Sequence, residues 1–173
     1  NYWKMMMSLR LKKKNMKNLI LDLRGNGGGY MMAATTLADR FFSDKQLLVY
    51  LSGRKSPRQD YVSSGSGSLS SARVVVLADE QSASASEIYS AAIQDYERGI
   101  VIGSTTTGKG TAQVQLDNLA HGQATLTQRK FYRITGGSTQ NKGVVPDIKL
   151  VDIYNEAFGE RKSKNALEWD TIP

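Results

Sequence analysis

The chain has 173 residues, of which 40% are apolar and 23% charged, with a formal net charge of +7. This composition fits one globular domain with its own core, and no apolar run is long enough for a membrane span. The absence of cysteine excludes disulfides, thiolate catalysis and cysteine-bound zinc. Much of the basic excess lies in the first seventeen residues and near the C-terminus. This distribution indicates solvated terminal segments rather than a nucleic-acid surface.

The first third of the chain predicts two helices and two strands. Residues 5–17 mix Met and Leu with Lys and Arg at helical spacing, which predicts an amphipathic helix. A short apolar run at 18–23 predicts a buried strand, and the glycine-rich run at 25–29 ends it. Helical periodicity returns at 31–42, and residues 46–51 predict a second strand. The first seven residues lack the apolar core and cleavage site of a signal peptide.

The middle of the chain contains the clearest buried strand. Residues 52–71 are rich in Ser, Gly, Arg and Pro without periodicity, which predicts a long surface loop. The continuous β-branched run at 73–79 predicts a buried strand, and a helix with apolar residues at four-residue spacing follows it to about Tyr96. Residues 99–103 predict a further strand, and 104–107 a polar loop.

The last third changes to strand-like alternation. Residues 111–116 and 123–134 predict two paired strands with a Gly-containing turn between them. Helices alternating with strands, followed by a β-rich end, predict an α/β layered fold with a mostly parallel central sheet. We expect a helical segment at 1–17, a core at 18–150, and a tail at 151–173 that packs on the core or trails from it.

Two glycine-rich stretches nearly match nucleotide-binding loops. Residues 103–110 approach a P-loop, but Gly110 stands where the magnesium-binding Ser or Thr belongs, and a strand rather than a helix is predicted after it. Residues 25–29 lack the last glycine of a dinucleotide fingerprint, because the next position is Tyr30. Consecutive glycine N–H groups at a helix start can also stabilise an oxyanion, or they can serve only a tight turn.

Serines 82, 84 and 86 lie between the buried strand and the following helix, a place where hydrolases present a nucleophile. Ser84 with Glu87 three residues later also satisfies a helix capping box, so the serines alone leave both interpretations open. A catalytic serine needs a base. The single histidine, His121, lies in a polar stretch next to glycine that is typical of a surface loop.

Lysine can serve as the base of a serine nucleophile when burial lowers the lysine pKa, at about 1.4 kcal/mol per pKa unit. Lys109 lies between two glycines, and no acidic residue occurs within seven positions on either side. It is therefore the lysine whose surroundings best suit burial beside a nucleophile.

Three blocks, in this order along the chain, read Asp-Leu-Arg-Gly-Asn-Gly-Gly-Gly at 22–29, Ser-Ala-Ser-Ala-Ser-Glu-Ile at 82–88 and Gly-Lys-Gly-Thr-Ala-Gln at 108–113. They resemble the signature blocks of the C-terminal processing peptidases, peptidase family S41. Further segments are similar to the tail-specific, Prc-like branch of the family, at 129–133, 136–140, 142–148 and 165–170. The resemblance covers about residues 15 to 173.

The resemblance implies a ClpP/crotonase-like layered core over residues 18–150 and a serine endopeptidase that needs no cofactor or metal. In this interpretation Ser84 attacks the scissile carbonyl, Lys109 takes its proton, and Gln113 orients the lysine amine. The backbone N–H groups of Ala85 and of a glycine in 27–29, for which we choose Gly28, would form the oxyanion hole.

The resemblance also implies a supporting role for Asp95, with a solvated helix residue as the alternative, and a structural role for Glu87. Thr106-Thr107 departs from the family, because relatives usually carry an aromatic residue just before Gly-Lys-Gly. The PDZ domain of the family and the strands before the first block are absent from this chain.

We therefore expect an endopeptidase that cleaves unfolded or tagged proteins near apolar C-termini and binds no nucleic acid. The resemblance alone implies an extracytoplasmic location, in a bacterial periplasm or cell envelope, and leaves open peripheral membrane association or an oligomer of the parent protein. Two alternatives also stay open. One is a non-proteolytic protein on the same fold that binds apolar ligands such as retinoids. The other, less favoured, is a nucleotide-binding protein.

Overall fold

The computed structural model describes residues 16–117, 119–150 and 159–172. The predicted helix at 5–17 lies outside these residues except for its last two positions, which are not helical. In chain order the elements are β1 (Asn18–Asp22), α1 (Met31–Asp39), β2 (Leu47–Gly53), β3 (Ser56–Val62), β4 (Arg73–Ala78), α2 (Ala85–Asp95), β5 (Gly99–Gly103), β6 (Thr111–Leu116), β7 (Ala124–Tyr132) and β8 (Ile148–Lys149). A short 3₁₀ helix at Glu160–Lys162 follows.

The strands form two sheets of different kinds. A parallel sheet has the order β1-β4-β5-β8, and an antiparallel sheet has the order β3-β2-β7-β6. The apolar run of β4 lies in the interior of the parallel sheet, where Val74 and Val76 are buried. The predicted α/β class with a parallel sheet and a β-rich C-terminal part is confirmed.

One prediction in this region is wrong. The expected surface loop at 52–71 contains the strand β3, which pairs antiparallel with β2. This strand is mostly exposed, and its polar sequence has no apolar face of its own. Its order comes from the partner strand and from side-chain contacts such as that of the Arg58 guanidinium, which lies 3.8 Å from the centre of the Tyr50 ring.

Both helices pack into a core that joins the two sheets. α2 is buried almost all round, from Ala85 to Ile93, and it contacts β5 of the parallel sheet and β2 of the antiparallel sheet. The core combines sheet residues such as Val101 and Phe131 with helix residues such as Tyr89. Because α2 is central, the residues at its N-terminus are held by contacts on several sides.

The described part of the tail packs on the antiparallel sheet. The Tyr50 hydroxyl donates to the Ile172 carbonyl at 2.9 Å, and the Trp169 indole N–H donates to the Ser138 carbonyl at 2.7 Å. Across the described part of the chain, we find no helix with the length and apolar character needed to cross a bilayer.

Candidate active site

The three sequence blocks meet because each follows a strand of the parallel sheet. Residues 23–30 follow β1, residues 79–84 follow β4, and residues 104–110 follow β5. These strands are neighbours and run in the same direction, so the connections lie together at one edge of the sheet. Sites in open parallel sheets form at this edge.

The serines of the second block have different environments. Ser82 is fully buried and its hydroxyl donates to the Leu23 carbonyl at 2.8 Å. Ser86 is also buried and donates to the Asn26 carbonyl at 3.0 Å. These two hydroxyls attach the turn at 82–86, called the serine turn below, to the glycine-rich connection after β1. Ser84, between them, is half-buried and lines a cleft.

Ser84 has a strained backbone conformation. Its φ is 54° and its ψ is −112°, a region that residues with a Cβ rarely adopt. Nucleophiles at strand-to-helix turns of hydrolases show such strain. The surrounding contacts must hold this conformation, and one of them is a 2.7 Å hydrogen bond from the Ser84 N–H to Glu87 Oε2.

The Glu87 carboxylate binds both of the blocks that carry the predicted dyad. Its Oε2 accepts from the N–H groups of Ser84 and Lys109, at 2.7 and 2.9 Å. Its Oε1 accepts from the Thr106 hydroxyl at 2.6 Å and the Gly108 N–H at 2.7 Å. The side chain is fully buried. The capping carboxylate expected from the sequence thus also holds the loop at 104–110, called the lysine loop below.

Burial and hydrogen bonding have opposite effects on Glu87. Burial raises the pKa of this carboxyl from 4.5 to about 7, although hydrogen bonds from Thr106, Gly108, Ser84 and Lys109 each lower it. All four donors satisfy the ionised form, so protonation would disturb at least one of these contacts.

The cleft beside Ser84 has a volume of about 340 Å³. Ser84, Ala85, Lys109 and Gln113 all line it, so these four predicted site residues come together. Gln113 follows an irregularity in the pairing of β6 with β7, between positions 112 and 113, and such irregularities redirect side chains. The apolar part of the wall includes Met31, Ile88, Ala112 and Phe131.

Gly28 lies against the serine turn, but its N–H is engaged. A Cβ at this position would lie 2.5 Å from the Ala83 carbonyl oxygen and 2.8 Å from the Ala85 nitrogen, and the φ of Gly28 is +98°. Only glycine fits there without displacement. The Gly28 N–H donates to Asn26 Oδ1 at 3.0 Å, whereas Gly29 is the glycine that lines the cleft.

Asp95 lies outside the cleft. It is the last residue of α2, about 16 Å along the helix from Ser84, and its side chain is only 5% exposed. Arg133 binds its carboxylate through two nitrogens. The alternative of a solvated helix residue is therefore wrong. Any effect of Asp95 on a reaction at Ser84 must pass through other residues.

The P-loop-like stretch has its amides occupied. The N–H groups of Gly108 and Lys109 donate to Glu87, and the strand β6 follows rather than a helix. A phosphate would need those donors and a helix N-terminus. Within the described ranges there is also no group of three or more His, Asp or Glu side chains that could hold a metal ion.

The sequence did not reveal the role of Thr106. In the sequence it stands out only as a departure from the aromatic residue that relatives usually carry just before Gly-Lys-Gly. It is fully buried, donates to Glu87 Oε1 and accepts from the Val144 N–H at 2.7 Å. Thr107 donates to the Glu80 carbonyl at 2.7 Å. The pair thus anchors the lysine loop. The sign of this role in the sequence is that two small residues with hydroxyl groups precede Gly-Lys-Gly.

Comparisons with known proteins agree with this arrangement. The family model described as peptidase family S41 matches residues 5–150. The tail-specific protease of Haemophilus influenzae is 40% identical over 178 residues, which cover 95% of this chain and 25% of that protein. The chloroplastic C-terminal processing peptidase of Tetradesmus obliquus is 36% identical over 141 residues, covering 81% of this chain and 30% of that protein.

A solved structure gives the same result. The photosystem II D1 C-terminal processing protease superposes with a TM-score of 0.73 at 32% identity, over 85% of this chain and 38% of that one. The chain thus spans only about a quarter to two fifths of the length of these relatives. The fold, the three blocks and these matches agree, and the chain belongs to peptidase family S41.

Proposed function

We propose that this chain is the catalytic region of a serine endopeptidase in which Ser84 is the nucleophile and Lys109 the general base. One observation carries the proposal. Ser84 and Lys109 line the same cleft, and their backbone N–H groups are bound by the same oxygen of the buried Glu87 carboxylate.

The proposed reaction is acyl transfer through the serine. Ser84 Oγ attacks the scissile carbonyl, and Lys109 Nζ takes the hydroxyl proton and returns it to the leaving amine. Water then attacks the acyl-enzyme, with the lysine accepting its proton and returning it to Ser84 Oγ as the ester bond breaks and the carboxyl product leaves. Gln113 would orient the amine.

Backbone N–H groups would stabilise the oxyanion. The Ala85 N–H lies in the first turn of α2, where helix geometry provides no intrahelical acceptor. The second donor would come from the 27–29 run. Gly29 suits this better than Gly28, since the Gly28 N–H already binds Asn26.

We infer that the substrates are unfolded or tagged proteins, which enter the cleft and are cleaved near an apolar C-terminus. The apolar wall of Met31, Ile88 and Phe131 supports this, as does Tyr30, which is 78% exposed beside it. The relatives are named for tail-specific and C-terminal processing, and we extend that preference to this chain. An extracytoplasmic location is part of the proposal and rests on the same relationship.

The same apolar wall favours a second candidate, a non-proteolytic protein that binds apolar ligands. Such a protein has no use for a lysine beside the serine, so the two candidates differ in whether Lys109 matters. Binding of an apolar ligand by a wild-type protein that shows no cleavage would favour the second candidate.

The test replaces each member of the pair in the full-length protein. Ser84→Ala and Lys109→Ala should each lower cleavage of an unfolded protein with an apolar C-terminus by at least about 10³-fold, with unchanged thermal unfolding. Ser70→Ala and Lys45→Ala, at exposed positions, are the matched controls and should cleave normally. Ordinary turnover by either variant of the pair would refute the assignment.

A further inference from the structure

The loop that carries Lys109 is bound from two sides. Glu87 binds the N–H groups of Gly108 and Lys109, as described above. On the other side, the Asn141 N–H donates to the Gly108 carbonyl at 2.7 Å, and the Gly110 N–H donates to the side-chain oxygen of Gln140 at 2.8 Å. The residues before and after Lys109 are thus both fixed by the dipeptide 140–141.

Gln140 is a buried side chain with a partner at each end of its amide. It is 1% exposed. Its Oε1 accepts from the Gly110 N–H, and its Nε2 donates to Glu160 Oε2 at 3.5 Å. The Glu160 N–H in turn donates to the Thr107 carbonyl at 2.8 Å. The amide therefore joins the lysine loop to the segment at 159–163.

The main chain of Gln140 is fixed as well. Its N–H donates to the Ser138 hydroxyl at 3.0 Å, and that hydroxyl donates to the Phe131 carbonyl at 3.3 Å. A Cβ on Gly110 would lie only 2.4 Å from the Gln140 nitrogen, so the loop and this segment are in direct contact. The backbone that carries the Gln140 acceptor oxygen is therefore held by hydrogen bonds of its own.

We propose that Gln140 is a positioning residue for Lys109. By holding Gly110, the residue that follows the base, it fixes the direction in which the Lys109 side chain leaves the loop and the point at which β6 begins. Glu160 sets the orientation of the Gln140 amide, so that its oxygen faces Gly110. The inference rests on the proposed function, because it concerns the geometry of the proposed base.

The loop needs this support because its backbone has little intrinsic preference. Gly108 has a φ of +87°, and the loop has glycine on both sides of the lysine. Loss of the Gly110 contact would strand a buried donor and allow the loop to shift. A shift of about 1 Å in a reacting group lowers a rate by about 100-fold.

The experiment exchanges the two side chains in the full-length protein. Gln140→Glu keeps an acceptor for Gly110 but places a carboxylate next to that of Glu160, so repulsion should displace it. We expect kcat to fall about 10- to 100-fold with KM within about twofold. The double variant Gln140→Glu/Glu160→Gln exchanges amide and carboxylate and should restore kcat to within about threefold. Gln123→Glu, an exposed matched change, should have no effect.

A second readout follows Ser84 directly. The rate of Ser84 labelling by a fluorophosphonate should fall in Gln140→Glu in the same proportion as kcat and recover in the double variant. Urea unfolding identifies variants that are not folded. If Gln140→Glu does not fold, Gln140→Asn takes its place, because it keeps the amide but is one methylene too short to reach Gly110.

The outcomes separate the inference from the proposed function. A wild-type protein that neither cleaves nor labels at Ser84, or a Lys109→Ala variant that labels normally, overturns the proposed function and the inference with it. If the wild-type protein cleaves and labels at Ser84 and Lys109→Ala does not label normally, the proposed function stands. In that case full kcat in the Gln140 variant, an effect on KM alone, or no recovery in the double variant overturns the inference only.

Discussion

The ion pair between Asp95 and Arg133 allows a quantitative test of how the end of α2 is held. The Asp95 side chain is 5% exposed and that of Arg133 is 20% exposed. The guanidinium donates to both oxygens of Asp95 and, at 2.9 Å, to Gln94 Oε1. Arg133→Ala leaves a buried carboxylate without its cation, which should lower the free energy of unfolding by about 3–5 kcal/mol.

The reverse truncation should cost less. Asp95→Ala leaves a guanidinium that is more exposed and retains Gln94, so we expect a loss of about 2–3 kcal/mol. The double variant removes both charges and should be less destabilised than the sum of the two single variants. The coupling free energy in this cycle should be about 2–4 kcal/mol.

Urea unfolding of the four proteins at pH 7, followed by circular dichroism, measures the cycle. The exposed pair of Arg58 with Asp60 is the control and should show no measurable coupling. Additive effects of the Asp95 and Arg133 variants, within about 0.5 kcal/mol, would refute the reasoning.

The same proteins test the role of Asp95 in cleavage. If Asp95 affects cleavage only through Arg133, the double variant should cleave substrate faster than Asp95→Ala.

Three further predictions concern the turn around Ser84. Because the folded-state pKa of Glu87 is about 7 and its ordinary value is 4.5, the folded protein binds more protons between these pH values. Its free energy of unfolding should therefore fall by on the order of 3 kcal/mol as pH rises from 4.5 to 8. Glu87→Gln should lack this fall in urea unfolding, and equal pH dependence in both proteins would contradict it. Gly28→Ala should lower the free energy of unfolding by about 2–4 kcal/mol and remove most cleavage, because the added Cβ would meet backbone atoms at a position with positive φ. In Gly27→Ala the added Cβ would have no atom within 4 Å, so neither stability nor cleavage should fall. Similar losses in both variants would show the reasoning to be wrong. Ser86→Ala removes the hydrogen bond to the glycine-rich connection and should lower the free energy of unfolding by about 1–2 kcal/mol. The variant should still be labelled at Ser84 by a fluorophosphonate. Loss of labelling in a folded variant would argue against Ser84 as the nucleophile.

The sequence predicted those parts of the fold in which local pattern and tertiary environment agree. The run Val74-Val75-Val76 is continuous and β-branched, as is typical of a buried strand, and it forms the interior strand β4. The helix after Ser84 was expected from the spacing of Ile88 and Ala92, and both are buried in the core. The serine, glycine and lysine blocks were recognisable as blocks because each combines unusual backbone demands with few residue types.

The sequence missed features that depend on contacts between distant residues. The strand β3 contains Pro57 and alternating charges, and its pairing with β2 supplies order that its own composition does not. Thr106 and Gln140 appear polar and ordinary in the sequence. Their importance comes from buried partners at Glu87 and Gly110, nineteen and thirty residues away. Residue spacing along the chain contains no direct sign of such hydrogen bonds.

The single acceptor shared by Ser84 and Lys109 makes the assembly of this site cooperative. If either segment moves away, Glu87 loses donors and each stranded N–H in the interior costs about 1–3 kcal/mol. The other segment then loses part of its own restraint. Intermediate forms, with the serine turn in place and the lysine segment displaced, should therefore be rare. A binding event that reorganises one segment would switch both together.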